Sequence, residues 1–465
     1  MTPRRQRLVK WAATLLAALV VAVPVGYQML FPVPVRYADP LEHFKYGSIG
    51  VEAAQGVPYE VWRTLPGICM APPGRGAGYR HFGFQWQAGR ATPVGMPLET
   101  AIVPRVGINC ALCHVGRVEG PEGTSRLLPG APNTSLDLQS YLRFLFSCTA
   151  SKRFTADAVL AENRRLGGNL NLAQRLFYRA LIIPQMKQAI AMQARQMAFM
   201  QGQPDWGPGR AAGFQPAKGQ VLGMPFDGTL DIVDIPSLWA MRARDGQGLH
   251  WDGANTSLHE VVLSSGIGNG ASAGSIDLPS LARNEAWLRD LKPPRFPWPV
   301  DPAQAAAGRK IYDSACAACH ARGGDKIGQV IPLRMVGTDR NRSDAFTEPT
   351  ARGFAALDGY AWRYARFRKT GGYVAAPLGG VWARAPYLHN GSVPTLAALL
   401  TPPEQRPTTF RRGSPRYDPA AVGFAGGSGA LFDTALPGNS AAGHRWGTQL
   451  AQPERAALIE YLKTL

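Results

Sequence analysis

The sequence predicts a mainly α-helical protein in which two domains follow one hydrophobic N-terminal helix. The chain has 465 residues, more than one hydrophobic core usually organises, so two domains are expected. A Cys-x-x-Cys-His motif occurs twice, at residues 110–114 and 316–320, once in each expected domain. The first 35 residues begin with a basic stretch and continue with an uncharged one, a pattern typical of an export signal or a membrane span.

The N-terminal segment, residues 1–35, is predicted to be a signal anchor or transmembrane helix. An uncharged stretch over residues 11–35 follows four basic residues, Arg4, Arg5, Arg7 and Lys10. No Ala-x-Ala cleavage site stands before Pro32, which favours an uncleaved anchor over a removed signal peptide. The positive flank then places the rest of the chain on the periplasmic side of the bacterial inner membrane, or free in the periplasm if the segment is cleaved.

Each Cys-x-x-Cys-His motif has the chemistry that attaches a haem group to protein. The two thiols add to the haem vinyl groups as thioethers, and the adjacent histidine becomes an iron ligand. A zinc knuckle or a redox dithiol is the alternative, but zinc needs further Cys or His near each motif, and none is there. We therefore expect two covalently bound haem c groups, held by Cys110, Cys113 and His114 and by Cys316, Cys319 and His320.

The composition between the motifs predicts the domain limits. Gly, Pro and aromatic residues before residue 110 predict loops and short strands, and helical spacing over residues 136–200 predicts a helical insertion. Residues 292–299 have the Pro-rich composition of a linker. We expect an N-terminal haem c domain over residues 36–295 and a C-terminal haem domain over residues 296–465. Asp301 is predicted to cap the opening helix of the second domain.

The ligand opposite each proximal histidine decides what each haem can do. A second strong ligand gives a six-coordinate electron carrier, whereas an open iron face can react with oxygen or peroxide. His444 lies in a Gly-rich loop before the final helix, and we expect it to bind the second iron, whose other ligand is His320. The other candidates are His43, His81, His250, His259 and His389.

The net charge and the two cysteines outside the motifs each leave more than one interpretation open. The net charge of +18 suits an acidic electron-transfer partner or anionic lipid, although it is equally compatible with simple solubility. No nucleic-acid-binding module is present, so nucleic acid is not expected as a partner. Cys69 and Cys148 form either a disulfide or two buried thiols in an oxidising compartment.

Four segments carry a resemblance to a known family. Residues 380–392, Gly-Val-Trp-Ala-Arg-Ala-Pro-Tyr-Leu-His-Asn-Gly-Ser, resemble the signature of bacterial dihaem cytochrome c peroxidases and their relatives. Three further segments resemble the branch of this family that includes the rubber oxygenase. They are residues 42–48, residues 249–253 and the His444 loop. The resemblance implies two class I cytochrome c-like domains, the second with its first and last helices crossing where Gly308 meets Tyr461.

The resemblance also implies roles for individual residues. Trp251 becomes the electron bridge between the haems, His389 a residue of the second haem pocket, and His444 the second iron ligand. His250 stands where relatives commonly have Phe, and it becomes a candidate for hydrogen bonding, proton delivery or ligation at the first haem. Trp251, His250 and His389 are thus the candidate catalytic residues.

Two departures from the family pattern limit what is inherited. Arg384 stands where relatives have a small hydroxyl residue near an interhaem calcium site, so calcium is not expected. Residues 264–268, Ser-Ser-Gly-Ile-Gly, lack the bulky aromatic associated with the distal pocket of the oxygenase.

The function predicted from these residues is that of a dihaem c-type cytochrome oxidoreductase. Electrons pass from the C-terminal haem to an N-terminal haem that reacts with oxygen or peroxide. One alternative is a pure electron carrier with two six-coordinate haems, and another is an oxygenase that cleaves an apolar, polyisoprene-like substrate. The expected partners are a small redox protein or a quinol-linked electron donor or acceptor, and the membrane through the N-terminal anchor.

Overall fold

The computed structural model describes residues 33–71 and 74–465, together with Trp11 and Val20. Its α-helices are short, and the longest have 14 residues. In chain order they are α1 Pro40–Tyr46, α2 Val51–Gln55, α3 Tyr59–Trp62, α4 Leu65–Cys69, α5 Gly74–Ala77, α6 Cys110–His114, α7 Leu138–Ala150, α8 Ala156–Arg165, α9 Leu172–Phe177, α10 Ile183–Gln196, α11 Gln215–Gln220, α12 Met241–Arg244, α13 Leu258–Gly268, α14 Leu278–Asp290, α15 Pro302–Ala315, α16 Ala317–His320, α17 Leu333–Val336, α18 Asn341–Ala345, α19 Glu348–Ala356, α20 Leu396–Leu399 and α21 Gln452–Lys463.

The strands form small antiparallel sheets. They are β1 Val57–Pro58, β2 Leu98–Glu99, β3 Arg105–Val106, β4 Val115–Glu119, β5 Ser125–Pro129, β6 Arg210–Ala212, β7 Ile232–Asp234, β8 Val330–Pro332, β9 Gly372–Val374, β10 Thr409–Gly413, β11 Tyr417–Asp418, β12 Gly423–Phe424 and β13 Gly429–Asp433. One sheet has the order β1-β3-β2, and the others pair β4 with β5, β6 with β7, β8 with β9, β10 with β13 and β11 with β12.

The expectation of a mainly α-helical fold is wrong. Helices account for 42% of the chain, and many small strands lie between them. The physical reason lies in the 52 glycines and 39 prolines, which interrupt helical hydrogen bonding and favour turns. The two motifs and the helical insertion dominated the prediction, although they occupy a minor part of the chain.

The predicted anchor helix over residues 1–35 falls almost entirely outside the described residues. Within the part of the chain that the structure describes, no helix is long and apolar enough to cross a membrane. The structure therefore gives no support to the transmembrane helix that was part of the predicted fold.

Helices α7 to α10 occupy the segment whose spacing predicted them. A π-helical turn, Tyr178–Ile182, joins α9 to α10. Pro184 lies in the first turn of α10, where a missing N–H costs little, so the proline does not end the helical segment. Cys69 and Cys148 form a disulfide that ties α4 to α7, with 5.6 Å between their Cα atoms.

Helices α15 and α21 cross at Gly308. A Cβ atom on Gly308 would lie 1.9 Å from the carbonyl oxygen of Ala457, so only glycine permits this approach. The expected partner of Gly308, Tyr461, instead contacts the ring of Tyr312 at 5.1 Å. Asp301 caps α15 as predicted, accepting hydrogen bonds from the first backbone N–H groups of the helix.

The hydrophobic clusters draw residues from both halves of the chain. One cluster around Phe44 and Leu258 also contains Phe346 and Phe354 from the second half. A second cluster around Trp382 and Leu458 contains Val118, Ala131 and Trp239 from the first half. The boundary predicted at residue 295 stays a prediction, and these two clusters hold the segments on either side of it together.

We predict that Gly308→Ala weakens the crossing of α15 and α21. The added methyl group meets the backbone of Ala457, and such overpacking costs about 1–3 kcal/mol, partly offset by about 1 kcal/mol of helix propensity. Chemical unfolding of the holoprotein measures the change. Gly274→Ala is the matched control, because its Cβ would meet no atom within 4 Å. Equal stabilities of the two variants would contradict the close approach.

Candidate haem sites

The first Cys-x-x-Cys-His motif forms helix α6, and its histidine has a defined orientation. Asn109 caps the helix by accepting a hydrogen bond from the N–H of Ala111 at 2.9 Å, and its amide donates to the carbonyl of Gly47 at 2.9 Å. Nδ1 of His114 donates to the carbonyl of Pro236 at 2.9 Å. Because a carbonyl only accepts, the proton lies on Nδ1, and Nε2 carries the lone pair that an iron ligand requires.

The second motif repeats this arrangement. Nδ1 of His320 donates to the carbonyl of Ala376 at 2.7 Å, which leaves Nε2 as the unprotonated nitrogen. Burial lowers the pKa of His320 below its usual value and lowers that of His114 to about 4. Both imidazoles are therefore neutral at physiological pH, the form in which histidine binds metal.

Each motif lines its own cavity. Cys110, Cys113 and His114 line a cavity of about 390 Å³, here named the first cavity. Cys316, Cys319 and His320 line the second cavity, of about 400 Å³. Both volumes lie within the range of about 300–1,000 Å³ that is typical of cofactor sites.

The thiols of the motifs are free and suited to thioether formation rather than to metal binding. None of these four cysteines is in a disulfide. Burial raises the pKa of Cys110 to about 11 and that of Cys316 to about 11, which disfavours the thiolate that zinc needs. Among the described residues, no group of three or more Cys, His, Asp or Glu is placed to hold a metal ion. The residues present fit a covalently attached haem.

His444 faces His320 across the second cavity. The centroids of the two imidazole rings are 6.3 Å apart. If both imidazoles bound one metal ion, the distance between their centroids would be two metal–nitrogen bonds of about 2.0 Å plus the distance from each nitrogen to its ring centre. The observed separation agrees with that sum. His444 is held at a positive φ of 47°, and burial, followed by the charges of His320 and Arg406, lowers its pKa to about 4. The geometry suits one iron ion between the two rings.

Arg406 fixes the loop that presents His444, and sequence reasoning missed it. Its buried guanidinium donates to the carbonyls of Gly443 at 2.9 Å and of His444 at 3.1 Å. The same group donates to the carbonyls of Ala441 and Leu399. A cation that satisfies four carbonyls holds the strained backbone at His444 in place. The sequence around Arg406 has no feature that distinguishes it from the other arginines. Its role depends on contacts with a loop about 40 residues further along the chain.

His389 also lines the second cavity. Its ring stacks on that of Tyr373, with centroids 3.9 Å apart. Burial, followed by the charges of Arg342 and Arg210, lowers the pKa of His389 to about 3. Its Nε2 is buried and makes no hydrogen bond within the protein. The pocket role predicted for His389 stays a prediction that this placement supports.

His250 and Trp251 lie in a wall that both cavities share. Nε1 of Trp251 donates to the carbonyl of Asp234 at 2.8 Å, which fixes the indole. His250 has a positive φ of 62°, and burial, with Arg342 and Arg244 nearby, lowers its pKa to about 3. Its Nε2 is buried without a hydrogen bond. Both residues therefore stand between the two cavities.

The two cavities differ in what lies opposite the histidine of the motif. In the described part of the chain, no ring contact pairs His114 with a second histidine in the way that His320 meets His444. Helix α13 contributes Ser264, Ser265 and Gly268 to the lining. Both serine hydroxyls donate to the carbonyl of Val261, at 3.0 Å and 2.7 Å. Met197 and His250 both line this cavity, so a thioether and an imidazole are the candidate second ligands there.

Arg384 places a buried positive charge at the second cavity. Its guanidinium donates to the carbonyls of Pro377 and Gly379. Burial, followed by the charge of Arg244, lowers the pKa of Arg384 to about 9. No carboxylate among the described residues forms a salt bridge with it, so its charge suits the carboxylates of a haem.

Residues 372–411 match the family described as RoxA-like, cytochrome c-like. The matched segment contains strand β9, Arg384, His389 and Arg406. The resemblance to this branch is thereby confirmed for this segment of the second half. A cytochrome c-like domain implies covalently bound haem c and a haem-based redox function.

Two curated relatives are similar to larger parts of the chain. "Uncharacterized protein y4iM" of Sinorhizobium fredii is 36% identical over 219 residues, which cover 42% of this chain and 49% of that protein. "Uncharacterized protein y4iJ" of the same organism is 50% identical over 105 residues, 20% of this chain and 18% of that protein. The chain spans about half or less of the length of these relatives.

We predict that His444→Ala abolishes the low-spin spectrum of one haem, because the variant removes the imidazole that faces His320 at 6.3 Å. Absorption and electron paramagnetic resonance spectra of the oxidised holoprotein record the change. His389→Ala is the control, since His389 lines the same cavity but stacks on Tyr373. An unchanged low-spin signal in His444→Ala would show that another group is the ligand.

We predict that the folding stability of the protein depends on pH through the protonation of His389. Its pKa is lowered from 6.5 to about 3, so the unfolded chain binds a proton at pH values where the folded chain does not. Stability is complete above about pH 6.5 and falls towards pH 3, by about 1.4 kcal/mol per pH unit for this group. His389→Phe keeps the stacking on Tyr373 and lacks the titration. Parallel unfolding curves of the two proteins between pH 6.5 and pH 4.5 would contradict the assignment.

Proposed function

We propose that the chain is a dihaem c-type oxidoreductase, in which one haem relays electrons to a second, more open haem. One observation carries the proposal: His250 and Trp251 stand in a wall shared by two cavities, each lined by one Cys-x-x-Cys-His motif. Haem supplies a one-electron redox centre whose potential is set by its ligands and its surroundings. The two-haem count rests on this pair of cavities.

The second cavity has the features of an electron relay. His320 and His444 offer two neutral imidazoles on opposite sides of one position, and a doubly ligated iron has no free coordination position for a substrate. Arg406 holds the His444 loop by four carbonyl contacts, which opposes ligand loss. The positive charge of Arg384 in the same cavity would offset the negative carboxylates of a haem.

Trp251 is the residue best placed to couple the two sites. Its indole N–H donates to the carbonyl of Asp234, and its ring lies in the wall between the cavities. Pro236, two residues further along the chain, orients His114 through its carbonyl. The bridge and the first proximal histidine are therefore positioned by the same short segment.

The first cavity supports reduction of a small oxidant. Two electrons and two protons convert hydrogen peroxide into two molecules of water, and a residue that donates or accepts protons lowers the barrier. His250 has a free Nε2 and remains neutral above about pH 3. It can therefore accept a hydrogen bond from peroxide or hold a proton at Nε2.

A pure electron carrier is the second candidate, because Met197 lines the first cavity. A thioether on the first iron would make both haems six-coordinate and exclude an oxidant. Cleavage of a polyisoprene-like substrate stays a prediction from the family resemblance. In each case we propose action in the periplasm, where cytochrome c-like domains often occur, with a small redox protein or a quinol-linked system as electron partner.

Stopped-flow mixing of the reduced holoprotein with hydrogen peroxide tests the proposal. We expect the Cys110 haem to be oxidised first and the Cys316 haem to follow. Trp251→Phe should slow the second phase about tenfold, equivalent to about 1.4 kcal/mol of activation free energy, and leave the first unchanged. Trp86→Phe is the control, because Trp86 is not among the lining residues of either cavity. No reaction with peroxide would favour the electron carrier, and an unchanged second phase would exclude Trp251 as the bridge.

A further inference from the structure

The helical segment formed by α9, the π-helical turn and α10 carries several large apolar residues among the polar ones on its solvent-facing side. The side facing the core contains Tyr178, Ile182, Met186 and Ile190, all buried. The side facing solvent contains Leu172, Leu176, Leu181 and Met192, whose exposures are 70%, 57%, 40% and 58%. We name these four solvent-facing residues, together with the exposed Ala180 and Pro184 between them, the outward helical face.

Water alone does not account for this arrangement. A helix on the surface of a soluble protein has an apolar stripe towards the core and polar residues towards solvent. Single exposed apolar residues are ordinary, but a contiguous group on one element marks an interaction surface. In the outward helical face every fourth residue from Leu172 to Pro184 is apolar and exposed, a spacing that places these residues on one side of the segment.

The charged residues of the segment that carries the outward helical face are all basic. Residues 166–201 contain no Asp or Glu, and their basic residues are Arg175, Arg179, Lys187 and Arg195. In the preceding helix, Asp157 forms a salt bridge with Arg179 and Glu162 forms one with Arg165. Lys187 and Arg195 are exposed beside the apolar residues. Lys187 and Arg195 form no salt bridge with a described residue, so the surface favours a partner that is apolar and negatively charged.

We propose that the outward helical face docks the protein onto a membrane surface rich in anionic lipid. An amphipathic helix with apolar side chains flanked by Lys and Arg lies in the plane of such a surface, with the apolar side in the headgroup and acyl boundary. Each basic residue near anionic lipid strengthens the association about fivefold. The face is one convex helix, which a fluid lipid layer accommodates without a preformed groove.

Docking has a consequence for the first cavity. Gln193 of α10 and Met197 just beyond it line that cavity, while Met192 belongs to the outward helical face. The element that contacts lipid therefore also forms part of the wall of the first cavity. This inference does not depend on which reaction the first haem catalyses.

A local fluorescent probe tests the docking in the full-length holoprotein. An introduced thiol, Leu176→Cys, carries an environment-sensitive fluorophore such as NBD. The control is Leu436→Cys, comparably exposed at 49% and remote in the chain. We expect a blue shift at position 176, and none at 436, with vesicles of phosphatidylcholine and phosphatidylglycerol. No shift at 176, an equal shift at both positions, or an equal shift with pure phosphatidylcholine would overturn the proposal.

Charge variants separate the electrostatic part of the association. Lys187→Gln and Arg195→Gln in the labelled protein should each raise the anionic lipid concentration needed for half of the shift by about fivefold. Lys310→Gln, an exposed lysine on α15, should leave it unchanged. Equal effects of all three variants would indicate attraction by net charge alone and contradict a specific docking face. Peroxide reactivity is measured in parallel, so that failure of docking and failure of the redox proposal are distinguished.

Discussion

The segment Asp234-Ile235-Pro236 is the constraint on which both candidate haem sites depend. The carbonyl of Pro236 accepts the Nδ1 proton of His114 and so directs Nε2 of that histidine into the first cavity. The carbonyl of Asp234 accepts the indole N–H of Trp251. The N–H of Asp234 donates to the carbonyl of His389, and its buried carboxylate forms a salt bridge with Arg412. Three residues thus connect the first proximal histidine, the shared wall and the His389 segment.

This connection explains why both halves of the chain share hydrophobic clusters. Strand β7, which ends at Asp234, pairs with β6, while Arg342 of the second half bridges to Asp231 and Asp252 of the first. Removing one partner of such a buried pair leaves an uncompensated charge, which is strongly destabilising. These buried ion pairs therefore tie together the two halves of the chain that line the cavities.

The sequence was most informative where covalent or local chemistry dictates the residue. The Cys-x-x-Cys-His motifs follow from thioether geometry, and the capping role of Asp301 follows from the orphan N–H groups of a helix start. The facing of His444 and His320 was predicted from loop position, and the structure brings the two rings together. The pairing of Cys69 with Cys148, which the sequence left open, is decided by the packing of α4 against α7.

The features that escaped prediction depend on contacts between residues far apart in the chain. The strand content was underestimated because strands of two or three residues have no periodicity to detect. Arg406 gains its role only through four carbonyls that the folded loops bring to it. Tyr461 was expected against Gly308, but helix geometry places Ala457 there, one helical turn earlier. The Asp234 segment carries no motif that singles it out in the sequence, and only its backbone contacts show its importance.

The central claim is that the two cavities hold haems of different ligation, and electron paramagnetic resonance of the oxidised full-length holoprotein tests it most directly. The account predicts one low-spin haem, ligated by His320 and His444, and one high-spin haem on His114. The low-spin signal alone should disappear in His444→Ala. Two low-spin signals in the unmodified protein, or a single haem per chain, would contradict it.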